Sequence, residues 1–224
     1  FPLVVVGAET ITGTSGNDTF IGTYNDAGTG TWNTTDVLNG GACIDTLNII
    51  PIGEAAITPA DTYWSNITNI EKILINTTGA GAQTITTGTN FNTAFAVAGV
   101  ALTTTSGAGA INIDMSTFTG AATLTTTSGA GAQTVVTGSG VTTVTATNLT
   151  AGAQTISGAG LATVTATAGA AGAQTIGDAI GGGANLVTVI ATAGAGAQTI
   201  TSTSASAVTV IATSGAGATT IVTG

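Results

Sequence analysis

A short motif, Ala-Gly-Ala-Gln-Thr followed by isoleucine or valine, occurs five times along the chain and has two weaker copies. The five copies are Ala80–Ile85, Ala130–Val135, Ala151–Ile156, Ala171–Ile176 and Ala195–Ile200, and the weaker copies are Ala108–Ile113 and Ala216–Ile221. Successive copies end 20 to 28 residues apart, which is the spacing of a repeat array. Each unit is too short to bury its own apolar face, so the units must stack. We therefore predict an all-β fold, a parallel β-solenoid (β-roll or β-helix) of about seven coils with a period of about 21 residues and two main strands per coil.

Threonine alternates with valine or alanine in a second strand of each coil. The segment Val141–Thr147 is matched by Leu161–Thr167, Leu186–Thr192 and Ala207–Thr213. Side chains in a strand switch sides at every residue, so this alternation assigns an inward and an outward face. The predicted inward columns are Leu124, Val144, Val164, Val189 and Val210, and beside them Thr126, Ala146, Ala166, Ala191 and Ala212. The predicted outward binding face includes Thr143, Thr145, Thr163, Thr165, Thr188 and Thr209.

The glutamine of the repeated motif lies two residues before the aliphatic residue and therefore points to the same inward side. These glutamines are Gln83, Gln133, Gln154, Gln174 and Gln198. A buried amide without a hydrogen-bond partner is costly. We predict that the glutamines stack as an amide ladder in which each side chain bonds the next coil.

The first 50 residues differ from the rest of the chain, because most of the aspartates lie there. We predict three regions: an N-terminal region over residues 1–50, a linker with a short helical cap over residues 51–68, and solenoid repeats over residues 69–224. The segment Thr58-Pro-Ala-Asp61 favours a helix start with Thr58 as its N-cap. Tyr63 and Trp64 are predicted to cover the open end of the repeat array.

Two glycine-rich turns of the N-terminal region offer oxygen ligands for a cation. The segments 13–20 and 39–47 both place glycines before an aspartate, Asp18 and Asp45, and a large apolar residue follows shortly after it. Backbone carbonyls and carboxylates are the hard oxygen ligands that calcium prefers. The alternative interpretation is that Asp18 and Asp45 only cap turns by accepting hydrogen bonds from the backbone.

These turns resemble the glycine-rich, aspartate-containing nonapeptides of RTX proteins. Together with segments 36–41 and 69–71, they resemble secreted RTX-type surface-layer proteins and adhesins of Gram-negative bacteria, over roughly residues 10–75. The resemblance implies calcium bound by Gly16, Asp18, Gly40, Gly41 and Asp45. The chain departs from the family pattern at Cys43, where glycine is usual, and in the wide separation of the two turns.

Composition argues against catalysis and against several kinds of partner. The chain has no histidine, no arginine, a single lysine and a formal charge of −9. Ser-His and Cys-His catalytic arrangements are therefore excluded, and no arginine can clamp a phosphate. Carboxylate pairs remain, Asp18 with Asp45 and Asp26 with Asp36, but their glycine-rich turns favour a role as metal ligands. We predict no enzyme activity, no nucleic-acid binding and no insertion into a membrane.

The features above predict a secreted structural protein that self-assembles into a surface layer or filament at the bacterial cell surface. Its predicted partners are copies of itself, in head-to-tail or lateral contacts, and a cell-surface polysaccharide. The segment 1–6 has no evident partner nearby, so we predict that it pairs with another subunit or that the chain was excised from a longer protein. No charged strand, proline or helix follows the last repeat strand, and an uncovered solenoid end templates another chain. With one lysine and no arginine the chain offers trypsin-like proteases almost no cleavage site, which suits an extracellular protein.

The alternative function is an ice-binding or adhesin module that uses the outward threonine rows. In stacked coils such threonines lie ~7 Å apart along a strand and ~4.8 Å apart between coils. This array resembles the ice-binding face of β-solenoid antifreeze proteins. Against this interpretation, threonine also suits any exposed strand position, and Ile190 and Ile211 interrupt the central row.

Overall fold

The computed structural model describes residues 1–177, 186–204 and 207–223, which form a parallel β-solenoid of about eight turns with a period of about 22 residues. The predicted fold class is confirmed, with one more turn than the motif alone indicates. A long sheet of nine strands runs through the whole described chain. The strands of the long sheet are β2 (Thr19–Tyr24), β4 (Thr46–Pro51), β6 (Lys72–Asn76), β8 (Val100–Ser106), β10 (Ala122–Ser128), β12 (Thr142–Asn148), β14 (Leu161–Ala168), β16 (Thr188–Ala193) and β18 (Thr209–Ser214).

Two further sheets complete the walls of the solenoid. The second sheet has seven strands, and it faces the long sheet across the core. The strands of the second sheet are β7 (Gln83–Thr86), β9 (Ile111–Asp114), β11 (Gln133–Thr137), β13 (Gln154–Gly158), β15 (Gln174–Gly177), β17 (Gln198–Ser202) and β19 (Thr219–Thr223). The third sheet contains β1 (Thr10–Thr12), β3 (Val37–Asn39) and β5 (Ile67–Thr68). Within the described residues, the helices are α1 (Thr89–Phe95) and two short 3-10 helices, Ile52–Glu54 and Asp61–Trp64.

Register between parallel strands confirms the predicted inward columns. Val144 pairs with Leu124 on one side and with Val164 on the other, and the column continues through Val189 to Val210. The neighbouring column of Thr126 and four alanines is in register as well. All members of the two columns are buried except the two in β18, which are partly exposed. Alternation in the sequence therefore identifies the core of the later coils correctly.

The predicted amide ladder is also present. Gln154 donates from Nε2 to Oε1 of Gln133 at 3.1 Å, Gln174 donates to Gln154 at 2.8 Å, and Gln198 donates to Gln174 at 2.8 Å. All four side chains are buried. Ile111 lies between Gln133 and Gln83 in the register of the second sheet, so Gln83 donates instead to the Thr105 carbonyl at 2.6 Å. The ladder therefore joins four successive coils rather than five.

The N-terminal region and the linker belong to the solenoid. Strands β2 and β4 pair with each other and then with β6 in the long sheet, so no break separates residues 1–50 from the repeats. The third sheet gives these first coils a third side, and α1 lies next to β5. In-register residues of the long sheet are 26 to 29 apart in the first three turns and 19 to 25 apart afterwards. The solenoid thus changes from three-sided coils to shorter two-sided coils.

The predicted helical segment forms, but it starts three residues after Thr58. The 3-10 helix covers Asp61–Trp64, and its N-cap, Ala60, makes no side-chain capping bond. Thr58 is engaged elsewhere, because its hydroxyl donates to Oδ1 of Asp26 at 2.6 Å. Asp61 caps a different helix, since its carboxylate accepts hydrogen bonds from the backbone N–H groups of Asn90 and Phe91 at 2.9 and 3.0 Å, in the first turn of α1.

Trp64 lies inside the solenoid and not over an open end, which corrects the prediction. Its ring centroid is 5.1 Å from that of Trp32 and 5.2 Å from that of Phe91. Phe91 also contacts Phe95 and Phe118, so an aromatic column runs along the axis of the wider coils. These coils need large side chains, because a third side leaves more interior volume to fill.

Residues 1–3 pair with their own chain, which leaves residues 4–6 of the predicted subunit-pairing segment exposed. Leu3 donates its N–H to the Ile21 carbonyl at 2.8 Å, and Ile21 donates to the Phe1 carbonyl at 2.9 Å. Leu3 is buried, and the Phe1 ring stacks on Phe20 with centroids 5.6 Å apart. Residues 1–3 therefore cover part of the free edge of β2, whereas Val4, Val5 and Val6 remain exposed.

Candidate functional site

The outward side of strands β8, β10, β12 and β14 presents a regular array that we call the threonine face. Three columns cross the four strands in strict register, and eleven of the twelve positions are threonine. The columns are Ala101, Thr123, Thr143 and Thr163, then Thr103, Thr125, Thr145 and Thr165, and then Thr105, Thr127, Thr147 and Thr167. Parallel strands fix both repeat distances of this array, ~4.8 Å between strands and ~7 Å along a strand.

All six residues of the predicted binding face point outward. Thr143, Thr145, Thr163 and Thr165 lie within the threonine face, and Thr188 and Thr209 continue its first column on β16 and β18. Thr209 is exposed and the other five are half-buried between their neighbours. The structure thus brings these residues together as one surface.

The threonine face has defined limits along the solenoid axis. Its central column continues as Ile190 and Ile211 toward β18 and as Leu74 on β6. On β6 the first column continues as Lys72, the single basic residue of the chain. The face is therefore a neutral patch of hydroxyl and methyl groups with aliphatic borders. It offers hydrogen bonds and flat apolar contact, and no histidine exists in the chain to activate a hydroxyl as a nucleophile.

A narrower row of threonines on the second sheet was not identified from the sequence. Thr134, Thr155, Thr175, Thr199 and Thr220 are in register and exposed. The threonine after each motif glutamine was the available signal, because it must face outward when glutamine faces inward. One column makes a line and not a surface, so this side offers less contact than the threonine face.

The N-terminal carboxylates Asp18, Asp45 and Glu71 lie on three successive coils and form what we call the acidic stack. The residues that follow them, Thr19, Thr46 and Lys72, are in register in the long sheet. Glu71 accepts the backbone N–H of Asp45 at 2.9 Å, and Asp45 accepts that of Asp18 at 2.7 Å. Glu71 and Asp45 therefore each bond the backbone of the preceding coil.

Asp18 also caps its own turn, as the alternative interpretation predicted. Its Oδ2 accepts the backbone N–H of Thr14 at 2.5 Å and the Thr14 hydroxyl at 2.9 Å. The Thr14 hydroxyl in turn accepts the N–H of Gly16 at 3.1 Å. Asp45, by contrast, is fully buried, and its Oδ2 has no hydrogen-bond partner.

Glycines 40 and 41 are held close to the acidic stack. A Cβ atom on Gly40 would lie 1.7 Å from the carbonyl oxygen of Asn69 and 2.5 Å from Oδ2 of Asp45, so only glycine fits there. Gly41 has a φ of 100°, a conformation that favours glycine. Cys43 has a φ of 73°, in the left-handed region that favours glycine. The glycine that is usual at this position in the RTX pattern would therefore fit here as well. The cysteine side chain is exposed.

Asp26 and Asp36 lie apart from the acidic stack and have their own partners. Asp26 accepts hydrogen bonds from the Tyr24 hydroxyl at 2.7 Å and from Thr58. Burial and the Asp26 carboxylate raise the pKa of Tyr24 well above its ordinary value. Asp36 accepts the N–H groups of Asn33 and Glu9 at 2.8 and 3.0 Å. Burial raises the pKa of Asp36, and the two N–H donors oppose that shift.

The fit of a calcium ion can be judged from these contacts. Within residues 1–177, 186–204 and 207–223, no three cysteine, aspartate or glutamate side chains converge as a metal site. Calcium takes six to eight oxygen ligands, so a site here would need backbone carbonyls in addition to carboxylates. The Oδ2 of Asp45 has no hydrogen-bond partner, and both it and the Asn69 carbonyl oxygen lie close to Gly40, so these two oxygens could contribute to such a ligand set.

In the part of the chain that the structure describes, no helix has the length and apolar character needed to cross a membrane. No known protein family, curated protein or solved structure matches this chain.

Proposed function

We propose that this chain is a secreted structural protein that self-assembles into a surface layer or filament outside the bacterial cell. The observation that carries the proposal is the stacking of the coils in one parallel register, because each coil offers its neighbour the same backbone edge and the same inward columns. Val210 and Ala212 are partly exposed and Ile221 is exposed, whereas their equivalents in the preceding coil, Val189, Ala191 and Ile200, are buried.

A further coil on this edge would bury these side chains and pair the free backbone groups of β18 and β19. Unpaired strand edges template association with another chain, and the edge here is uncharged. In the proposal, coils of a second copy stack on coils of the first in this way. Solenoid stability is the sum of contacts between neighbouring coils, so each added contact stabilises the whole rod.

Val210→Asp tests the proposal, with Thr209→Asp as its matched control. Both changes add one charge to β18, but Val210 points into the open end and Thr209 points outward. A charge at the buried contact must lose water without gaining a partner. We expect sedimentation velocity to show concentration-dependent association of the wild type and of Thr209→Asp, and its loss in Val210→Asp. A wild-type protein that stays monomeric at millimolar concentration, with and without calcium, would refute self-assembly.

Calcium stabilisation forms part of the proposal, and the unpartnered Oδ2 of Asp45 supports it. We expect calcium to raise the unfolding temperature of the wild type, because a ligand that binds only the folded state stabilises it. Asp45→Asn keeps the shape of the side chain and removes its charge, so its response to calcium should be smaller. Equal responses of the two proteins in calorimetric unfolding with calcium or a chelator would remove Asp45 from the proposed site.

The proposed role does not include catalysis, nucleic-acid binding or membrane insertion. The chain has no histidine or arginine and a single lysine. The threonine face contains hydroxyls and methyls alone, and each carboxylate of the acidic stack accepts a backbone hydrogen bond. A lattice or fibre does not need the histidine and arginine side chains that this chain lacks.

Binding of ice or of a cell-surface polysaccharide through the threonine face is the second candidate function. The strict register of eleven threonines in three columns favours it, since a rigid array suits a partner with its own regular spacing. Thr145→Lys would place a charge in the centre of the threonine face, and Thr155→Lys would place one on the second sheet. Ice binding predicts thermal hysteresis that Thr145→Lys abolishes and Thr155→Lys preserves, and a polysaccharide role predicts the same pattern in co-sedimentation with purified cell-wall polysaccharide.

A further inference from the structure

The outer surface near the start of the long-sheet strands contains a groove of about 600 Å³. Its floor consists of small residues, among them Ala101 and Ala122, and its walls include the exposed side chains of Ile44 and Val141. Lys72 and Glu71 also line it. The groove is therefore a largely apolar depression with charged groups at its border, on the side of the solenoid and away from its ends.

Lys72 gives the groove a charge that is found nowhere else among the side chains of this protein. The chain has one basic residue and ten acidic residues. Glu71 lies beside Lys72 in sequence, but its Oε2 accepts the N–H of Asp45, and no ion pair to Lys72 forms within the described residues. The single positively charged side chain of this protein therefore lies at the groove, where an acidic partner surface could contact it.

An exposed segment of the same protein complements the groove, because it is apolar and lies next to an acidic residue. We call residues Val4, Val5 and Val6 the valine loop, and their side chains are 68%, 46% and 58% exposed. The Glu9 carboxylate accepts the N–H groups of Val4 and Val5 at 2.9 and 3.3 Å, which holds the loop in one shape. The loop thus presents three apolar side chains next to an acidic residue, and preorganisation lowers the entropy cost of docking.

We propose that the valine loop of one copy docks into the groove of a second copy, with Glu9 of the first copy facing Lys72 of the second. This inference rests on the proposed self-assembly and names its lateral contact. The two surfaces lie at different places on the molecule, so the contact is heterologous and extends from copy to copy without closing. Combined with a contact at the β18 edge, it connects copies in two directions, which is what a layer requires.

Disulfide trapping tests the contact directly. In a Cys43→Ser background, Val5→Cys protein is mixed under oxidising conditions with Thr123→Cys protein, because Thr123 lines the groove. The matched control is Val5→Cys with Thr167→Cys, an exposed threonine of β14 outside the groove. We expect cross-linked dimers in the first mixture to form at least about tenfold faster than in the control. Equal rates would overturn the proposed contact.

Two charge-changing variants give an independent measurement. Val5→Asp should break the loop contact and Lys72→Glu the ionic contact, whereas Val187→Asp changes an exposed valine that belongs to neither the valine loop nor the groove lining. We expect sedimentation equilibrium to show a dissociation constant at least about tenfold higher for the first two variants and unchanged for the third. If the wild type associates and all three variants match it, this contact is wrong and the proposed self-assembly stands. A monomeric wild type would overturn both.

Discussion

At the scale of single residues, the core of the later coils contains a column of buried glutamine amides. The ladder glutamines are buried beside valine, isoleucine and alanine, and each interior amide both donates to and accepts from a ladder partner. An amide in a dry interior is tolerated only when its hydrogen bonds are made. Stacking identical residues at one coil spacing meets that condition automatically, so the ladder also fixes the register between coils.

Gln174→Leu should therefore destabilise the protein although leucine is apolar and similar in size. Gln174 donates to Gln154 and accepts from Gln198, and the substitution leaves the Gln154 oxygen without a ladder donor. An unsatisfied buried polar group costs about 1–3 kcal/mol. We expect a lower urea midpoint by circular dichroism. Thr175→Val, on the outward side of the same strand, should stay within about 0.5 kcal/mol of the wild type, and an equal effect of both changes would contradict a role for the ladder.

At the scale of elements, short contacts between coils hold the irregular segments in place. Glu54, in the first 3-10 helix, accepts the N–H groups of Gly79 and Thr78 in the next coil at 2.8 and 2.9 Å. Both hydrogen bonds hold the pKa of Glu54 below its ordinary value of 4.5, and the bond from Gly79 has the larger effect. An exposed carboxylate thus joins the loops that follow β4 and β6, beyond the paired part of these two strands.

This contact predicts a pH dependence with a definite sign. A carboxylate whose pKa is lower in the folded state stabilises the protein above its unfolded pKa and loses that effect as pH falls through the folded pKa. Glu54→Gln removes the charge and keeps the shape. We expect the wild type to unfold at a higher temperature than the variant near pH 6, and the difference to shrink as the pH falls below 4.5. A difference that is independent of pH would show that the charge of Glu54 does not contribute.

The aromatic column plays the corresponding role inside the wide coils. Trp64 is almost fully buried between Trp32 and Phe91. Trp64→Ala should lower the free energy of unfolding by about 3–5 kcal/mol, because the cavity cannot collapse in a close-packed interior. Hydrogen exchange should show the loss of protection in β2 to β8 first, since coils interact only with their neighbours. Val97→Ala, at a fully exposed position, is the control and should change neither quantity.

Elements of the repeat could be predicted from sequence, whereas those of the first coils could not. Val144, Gln154 and Thr145 were assigned correctly to the interior or the surface, because strand alternation decides the side of each residue. Helix α1 was missed, since its threonine and asparagine residues are weak helix formers. It is stabilised from another coil by Asp61, about 30 residues earlier in the chain, and no local pattern reveals such a contact.

At the scale of the whole molecule, the change from three-sided to two-sided coils explains which part of the candidate site was predictable. The threonine face lies where coils of 20 and 22 residues repeat, so equal positions in the motif become neighbours in space. The acidic stack lies where spacings are 26 and 27 residues and turns differ in length. Asp18 and Asp45 were recognised as related there, but the contact of Glu71 with Asp45 depends on turn geometry that the sequence does not specify.

A duplicated coil tests the solenoid as a whole. Inserting a second copy of residues 145–164 after Val164 preserves every inward position, because Val144 and Val164 are in register. Neighbour contacts add up in a solenoid, so we expect an unfolding temperature no lower than that of the wild type. Small-angle scattering should show a particle longer by ~4.8 Å with an unchanged cross-section. Inserting residues 144–164 at the same place adds one residue more than a full coil, so the inward side chains of one strand turn outward. That control should lower the unfolding temperature, and a solenoid that tolerated both insertions equally would not depend on the alignment of its inward columns.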